Sequence, residues 1–238
     1  MGEGINMNMN NVKAILFDSG RTLNVPRTGH WFITPNFIKI IDRKDFSYSN
    51  EDMDKAMRLA CDHINKILLV ETEEEEYSIF KEFYEIVLRE IKYPNINNEI
   101  IELLARDNVY NDDKFLFFDD IDSSLNALKD KYLLGVVSDT WPSLERVFIN
   151  NDLRKYFSTF VMSSVYASNK AEKVLFKIAI EELGIKPEEA IFVDDNESNL
   201  EAAEEFGMIP ILIDVYNSQK LKSKYPIINS ISELIEKY

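Results

Sequence analysis

Cysteine is almost absent from the chain: Cys61 is the single one in 238 residues. No intramolecular disulfide can form, and nothing calls for an oxidising compartment. Cys61 sits in an apolar helical pattern with Met57, Leu59 and Ile64, the setting of a core residue. Long hydrophobic runs are missing too. None approaches the roughly 18 residues of a membrane span, and residues 1–10 lack the apolar core of a secretory signal. These absences point to a cytoplasmic protein with no membrane partner. Basic side chains are few, 27 against 42 acidic ones, for a formal net charge of −15. That shortage disfavours nucleic acid, because phosphate backbones are bound by clustered Lys and Arg. It leaves room for a small phosphorylated ligand, which needs only a local anion site. The acidic run at residues 71–76 reads as a solvated face. Glycine is scarce at 7 residues, so Gly20, Gly29, Gly135 and Gly207 each imply a local backbone reason.

What is present suits a packed protein. Hydrophobic residues form 45% of the chain, with 15 Phe and 11 Tyr, which excludes disorder. The length allows one large domain or two modest ones. The organising stretch is Lys13-Ala14-Ile15-Leu16-Phe17-Asp18-Ser19-Gly20-Arg21-Thr22-Leu23-Asn24. A short apolar run stops at a carboxylate and small polar residues follow, the pattern of a buried strand entering a turn. In open α/β sheets, ligands sit at the carboxyl ends of such strands.

Pro26 and Gly29 then break regular structure, and residues 36–105 turn helical in their apolar spacing. Ser49 and Asn97 have the character of helix caps. From Phe115 helix and strand alternate: helices over 120–131, 144–150, 173–183, 198–206 and 230–237, strands over 132–137, 157–161, 190–193, 209–213 and 226–228. Such alternation argues for a parallel sheet covered on both faces. The expected fold is therefore an α/β doubly wound core over residues 1–25 and 113–238, with an all-helical insertion over 26–112.

Three of the expected strands end in polar groups, at Asp18, Ser138-Asp139 and Asp194-Asp195, and Lys170 precedes the 173–183 helix. Carboxylates, a hydroxyl and one ammonium suit a phosphate and metal site. Magnesium takes a few oxygen ligands, keeps waters and binds beside substrate phosphate. Asp18 with Asp194 or Asp195 supplies the charge, and Asp18 becomes a candidate covalent nucleophile. Ser138 and Lys170 are placed to hold phosphoryl oxygens.

Those residues resemble the haloacid dehalogenase (HAD) superfamily of hydrolases. Phe17-Asp18-Ser19-Gly20-Arg21-Thr22-Leu23 is similar to its nucleophile loop, Val136-Val137-Ser138-Asp139 to its second motif, Lys170 to its third, and Phe192-Val193-Asp194-Asp195-Asn196 to its acidic fourth motif. The resemblance implies a Rossmann-like HAD core with a helical cap that selects substrate. It implies Asp18 and Lys170 as catalytic residues, and Thr22, Ser138 and Asp139 at the substrate. It implies Mg2+ held by Asp18, Asp194, Asp195 and the Gly20 carbonyl, with a small phosphorylated substrate as partner. The protein is expected as monomer or homodimer.

One departure qualifies the resemblance. Phosphatases of the family carry a second Asp two residues after the nucleophile, where this chain has Gly20, followed by Arg21 in place of the usual glycine. Loss of that acid–base group removes help typically worth about 10²–10⁴-fold. Arg21 could bind a substrate anion, and His30 could move a proton near neutral pH or serve as a hinge residue. Three readings follow. The first is a Mg-dependent phosphatase. The second is a 2-haloacid dehalogenase or a phosphonoacetaldehyde-hydrolase-like enzyme; the paired Asp194-Asp195 argues against the metal-free dehalogenase, and none of Lys39, Lys44, Lys55 and Lys66 stands out as a Schiff-base lysine. The third is a weakly active or inactive protein that binds a ligand or partner.

Overall fold

The computed structural model describes residues 11–42, 44–217 and 222–237. The leader at 1–10 lies outside the described residues. The chain divides into two compact units, one of residues 1–25, 117–140 and 148–238, the other of residues 26–116 and 141–147.

The first unit is α/β. Its strands are β1 (Ala14–Phe17), β4 (Leu133–Ser138), β5 (Thr159–Met162), β6 (Ala190–Asp194), β7 (Ile209–Ile213) and β8 (Ile227–Ile228). They form one sheet in the order β5-β4-β1-β6-β7-β8, and every neighbouring pair is parallel. Strand β1 is central, with Leu16 opposite Gly135 on one side and Phe192 on the other. All four of its residues are fully buried, as expected of a strand covered on both faces. Side chains alternate between the faces. Ala14 and Leu16 share a core with Phe176, Ala179, Phe192 and Leu200, packing helices α7 (Val174–Leu183) and α8 (Glu197–Phe206) onto the sheet. Phe17 points the other way and meets Phe157 edge-on, their ring centres 6.5 Å apart.

Two glycines have clear reasons. A Cβ on Gly135 would lie 2.4 Å from Thr159 Cγ2 and 2.5 Å from Leu16 Cδ2, so the three strands pack this tightly only around a glycine. Gly207 ends α8 at φ 97, a left-handed cap that L side chains avoid.

The second unit is built from α1 (Phe37–Ile41), α2 (Asn50–Ile64), α3 (Glu73–Glu90) and α4 (Asn98–Tyr110). Ser49 and Thr72 each begin a helix with a reciprocal capping box, to Asp52 and Glu75. Asn97 accepts from the Ile100 amide, 3.1 Å. The core between them is aromatic: Phe37, Phe80, Phe83 and Tyr84 are buried, and the Tyr84 hydroxyl donates to the Phe32 carbonyl, 2.9 Å. Cys61 is half-buried at its margin rather than central.

Three features depart from the sequence expectations. Residues around Pro26 and Phe115 form a short ladder, β2 (Asn24–Pro26) with β3 (Phe115–Phe117), although Pro26 and Gly29 were expected to break regular structure after Asn24. Proline is tolerated there because the strand is short and an edge. Residues 141–147, assigned from sequence to the α/β part, group with the helical unit. Glu76, assigned to a solvated face, is fully buried. The last two have one cause. The Ser143 amide and hydroxyl both donate to the Glu76 carboxylate, 2.8 and 2.7 Å, and Arg146 clasps Glu73 through Nε at 2.9 Å while Nη1 donates to Asp112. A buried carboxylate persists only when its oxygens find donors, and the 141–147 segment supplies them.

Burial is the largest influence on Glu76 and pushes its pKa up, against the opposing pull of Lys114 and the Ser143 hydrogen bonds. A carboxyl raised on folding contributes fully below its unfolded value, near 4.5, and loses that contribution as pH rises through the higher folded value. Glu76→Gln should therefore flatten the fall in stability above pH 4.5. Glu76→Ala, which orphans two donors, should cost about 2–3 kcal/mol. Urea denaturation at pH 5 and pH 8 reads both.

Candidate active site

The carboxyl ends of β1, β4 and β6 place one side chain each at the same edge. The Asp18 amide donates to the Val193 carbonyl, 2.9 Å, which extends the β1–β6 ladder by one residue and fixes where the carboxylate starts. Asp18 is 6% exposed. Ser138, the last residue of β4, donates through Oγ to Asp18 Oδ1 at 2.9 Å. Asp194, the last residue of β6, is wholly buried.

Lys170 joins them. It is 2% exposed, and its Nζ donates to Asp18 Oδ1 and to Asp194 Oδ2, 2.7 Å each. Its backbone is pinned as well: the Lys170 amide donates to Asp139 Oδ1 at 3.1 Å, and Asn169 caps the short turn by accepting from the Glu172 amide. The ammonium is therefore delivered by a local turn tied to the end of β4.

The loop after Asp18 winds about one carbonyl. Ser19 O accepts from the amides of Thr22, Leu23 and Asn24 at 3.3, 2.8 and 3.1 Å, and Asn24 Nδ2 donates to Ser19 Oγ at 2.7 Å. Gly20 bridges to Asn24 in this turn. Thr22 is fully buried with its hydroxyl unpartnered among the described residues. Arg21 is exposed, and its Nη1 lies 3.9 Å from Asp195 Oδ2.

Of the residues singled out from sequence, the α/β unit thus gathers Asp18, Ser138, Lys170, Asp194 and Asp195, with Arg21 at the outer side. Asp139 is exposed and meets the group through the Lys170 backbone. His30 belongs to the helical unit. There its Nδ1 accepts from the amides of Phe32 and Ile33, 3.1 and 3.2 Å, and burial lowers its pKa against the opposing charge of Asp54. Its ring serves a turn and is held as the neutral acceptor. Two residues were undervalued from sequence. Asn196 donates through its amide to Asp194 Oδ1 at 2.8 Å, and Asn199 Nδ2 donates to both Asp194 oxygens at 3.2 and 3.0 Å. An ionised Asp there could only accept, and Asp194 needs donors.

The charges are unbalanced. Burial, then the Asp18 charge, pushes Asp194 up to about 7 and Asp195 up to about 6. Burial works against the Lys170 ammonium, yet Asp18, Asp194 and Asp139 outweigh it and raise its pKa. Asp18, Asp194 and Asp195 each offer an oxygen within 4.8 Å of the others. A compact set of hard oxygen donors with surplus negative charge fits a divalent cation such as Mg2+. The oxygens are not equally available. Both Asp194 oxygens already accept hydrogen bonds, whereas Asp18 Oδ1 takes Ser138 and Lys170 and leaves Oδ2 open among the described residues. Asp195, 26% exposed, is the accessible partner.

The family model for haloacid dehalogenase-like hydrolases matches residues 33–213, a stretch that begins after the Asp18 loop. Glyceraldehyde 3-phosphate phosphatase of Methanocaldococcus jannaschii is 29% identical over 119 residues, covering 43% of this chain and 47% of that protein. The aligned stretch thus spans about half the length of that curated relative. A HAD phosphatase structure from Thermococcus onnurineus aligns with TM-score 0.60 and 19% identity, over 95% of this chain and 97% of that one. The 2-haloacid dehalogenase from Pseudomonas syringae pv. Tomato DC3000 aligns with TM-score 0.63 and 15% identity, over 94% and 97%. At these identities both structures speak to the fold alone.

Lys170→Met should destabilise the unit by about 3–5 kcal/mol, because it leaves buried carboxylates uncompensated. Adding Asp194→Asn should recover at least about 1 kcal/mol of that loss, since the two residues are directly coupled. Chemical denaturation of both variants without added metal is the measurement.

Proposed function

The chain belongs to the haloacid dehalogenase-like hydrolases, and from that premise we propose that it is a Mg-dependent phosphatase acting on a small phosphorylated metabolite. The observation that supports this most is the open Oδ2 of Asp18, set beside a buried lysine and within a triplet of carboxylates. Asp18 is the nucleophile in this reading. One of its carboxylate oxygens bonds to phosphorus as the ester P–O bond breaks, and water later cleaves the aspartyl-phosphate, returning the carboxylate and releasing phosphate. Ser138 orients Asp18 through Oδ1, and the Lys170 ammonium stands where charge on phosphoryl oxygens needs a donor. Asp18, Asp195 and the Gly20 carbonyl would hold Mg2+, whose positive charge would let an anionic phosphoryl group approach a carboxylate. Asp194 anchors Lys170 and shapes the acidic pocket from behind. By the family resemblance the helical unit selects the substrate, and Thr22 stiffens the loop from its buried position.

Gly20 determines which esters react fastest. No side chain at that position can protonate a departing alkoxide, so the barrier for alkyl esters stands about 3–5 kcal/mol higher than with an acid there. Aryl and acyl phosphates, whose leaving groups need no proton, are favoured. The carboxylate triplet also weighs against the metal-free carbon–halogen reading, since Lys170 alone does not balance three acids.

Hydrolysis of an aryl phosphate by the purified protein, with and without Mg2+, tests the reading. Turnover should require Mg2+ and fall to background in Asp18→Asn. Gly20→Asp should raise alkyl-phosphate turnover at least about tenfold. Undiminished turnover in Asp18→Asn, or equal rates after chelation, would sink it.

A further inference from the structure

The loop that carries Asp18 holds an arginine in a conformation suited to glycine. Arg21 has φ 59, in the left-handed region, which costs a residue with a Cβ roughly 1–2 kcal/mol. The turn imposes it: the Arg21 amide donates to Asn24 O at 2.6 Å, while the following amides converge on Ser19 O. A side chain retained at a strained position calls for a reason beyond the backbone.

That side chain is 57% exposed, makes no short hydrogen bond among the described residues, and puts Nη1 3.9 Å from Asp195 Oδ2. It is thus a second cation at the acidic group, loosely held beside Asp195. Fully ionised, as a bound cation favours, the three carboxylates with Lys170 alone carry two net negative charges, which one divalent ion neutralises. With Arg21 added the group carries one, and a divalent ion then leaves it positive. Asp194 is closed to such competition, being wholly buried and engaged by Lys170, Asn196 and Asn199. Asp195 is the contested residue.

We propose that Arg21 is a tethered cation that competes with the divalent metal for Asp195, weakening metal binding until an anionic phosphate arrives to restore the charge balance. The inference rests on the reading of Asp18 and Asp195 as metal ligands. Because the guanidinium is mostly exposed, it can leave Asp195 at small cost, and its fork can then face a phosphoryl oxygen. Metal and phosphate accordingly bind with positive coupling.

Calorimetric titration of Mg2+ into the full chain without substrate tests this, using the natural protein, Arg21→Gln and Arg21→Lys. Both variants keep a Cβ at the strained position, so backbone cost is constant, and only Arg21→Gln removes the charge. Arg21→Gln should bind Mg2+ roughly threefold to tenfold more tightly, Arg21→Lys should stay near the natural protein, and the gap should narrow at high salt as the exposed charge is screened. Inorganic phosphate should tighten Mg2+ binding more in the natural protein than in Arg21→Gln. Equal Mg2+ affinity in all three proteins, or weaker binding in Arg21→Gln with an unchanged Tm, overturns the inference and leaves the phosphatase reading standing. No Mg2+ binding to any of them overturns both.

Discussion

A single ammonium organises the chemistry of this protein. Lys170 Nζ lies 2.7 Å from both Asp18 and Asp194, and all three side chains are buried. Two carboxylates at the ends of neighbouring parallel strands repel one another strongly where water is scarce. The lysine makes their proximity tolerable, and in return they keep it charged against its own burial. Everything nearby serves that arrangement. The Asp139 carboxylate holds the lysine's backbone, Asn196 and Asn199 occupy the remaining Asp194 lone pairs, and Ser138 takes the other share of Asp18 Oδ1. What is left over is one open oxygen on Asp18 and the accessible Asp195. In the proposed reading metal and substrate meet those two groups, because Ser138, Lys170 and Asp194 are already paired with one another or with their neighbours.

The sheet explains why such a group forms here. Strand order reverses about β1: the chain builds β4 and β5 on one side, then returns to build β6, β7 and β8 on the other. The crevice at a switch of this kind opens at the carboxyl ends of the central strands. Parallel register then puts the residue after Phe17 beside the ends of β4 and β6 with no long side chain needed. Gly135 leaves room for the Leu16 and Thr159 side chains of the flanking strands, and Ser138 at the end of β4 reaches Asp18 directly.

Much of this was legible in the linear order of residues. Apolar runs stopping at Asp18, Ser138 and Asp194 carry their own warning, since a polar group at the end of a buried strand has few other places to go. The 173–183 helix that follows Lys170 was legible from its apolar spacing. Other features are pairings across distance and leave no local trace. Glu76 looks like any member of an acidic helix start, and its burial depends on Ser143, 67 positions away in sequence. The short β2–β3 ladder joins a segment ending in Pro26 to one about ninety residues later, and neither three-residue stretch is long enough to show a period. The role of Asn199 is visible only when the oxygens of Asp194 are counted and found to need two more donors. His30 was attractive for its chemistry, yet its Nδ1 is committed to two amides of its own turn, a contact no composition argument could supply.

The two departures in the Asp18 loop belong together physically. In the proposed reading Gly20 stands where the resemblance implies an acid and brings neither its charge nor its proton, and Arg21 next to it adds a positive charge beside Asp195. Both changes move the loop in the same electrostatic direction. A site that protonates its leaving group depends on an acid held at the right proton affinity. A site without that acid depends instead on how much negative charge it can draw onto phosphoryl oxygens before the ester bond breaks, which extra cations favour. The left-handed strain at Arg21 is consistent with that exchange, because a glycine would relieve the backbone and forfeit the cation. On this view the loop is organised for leaving groups that depart as stable anions, with electrostatic stabilisation standing in for proton transfer.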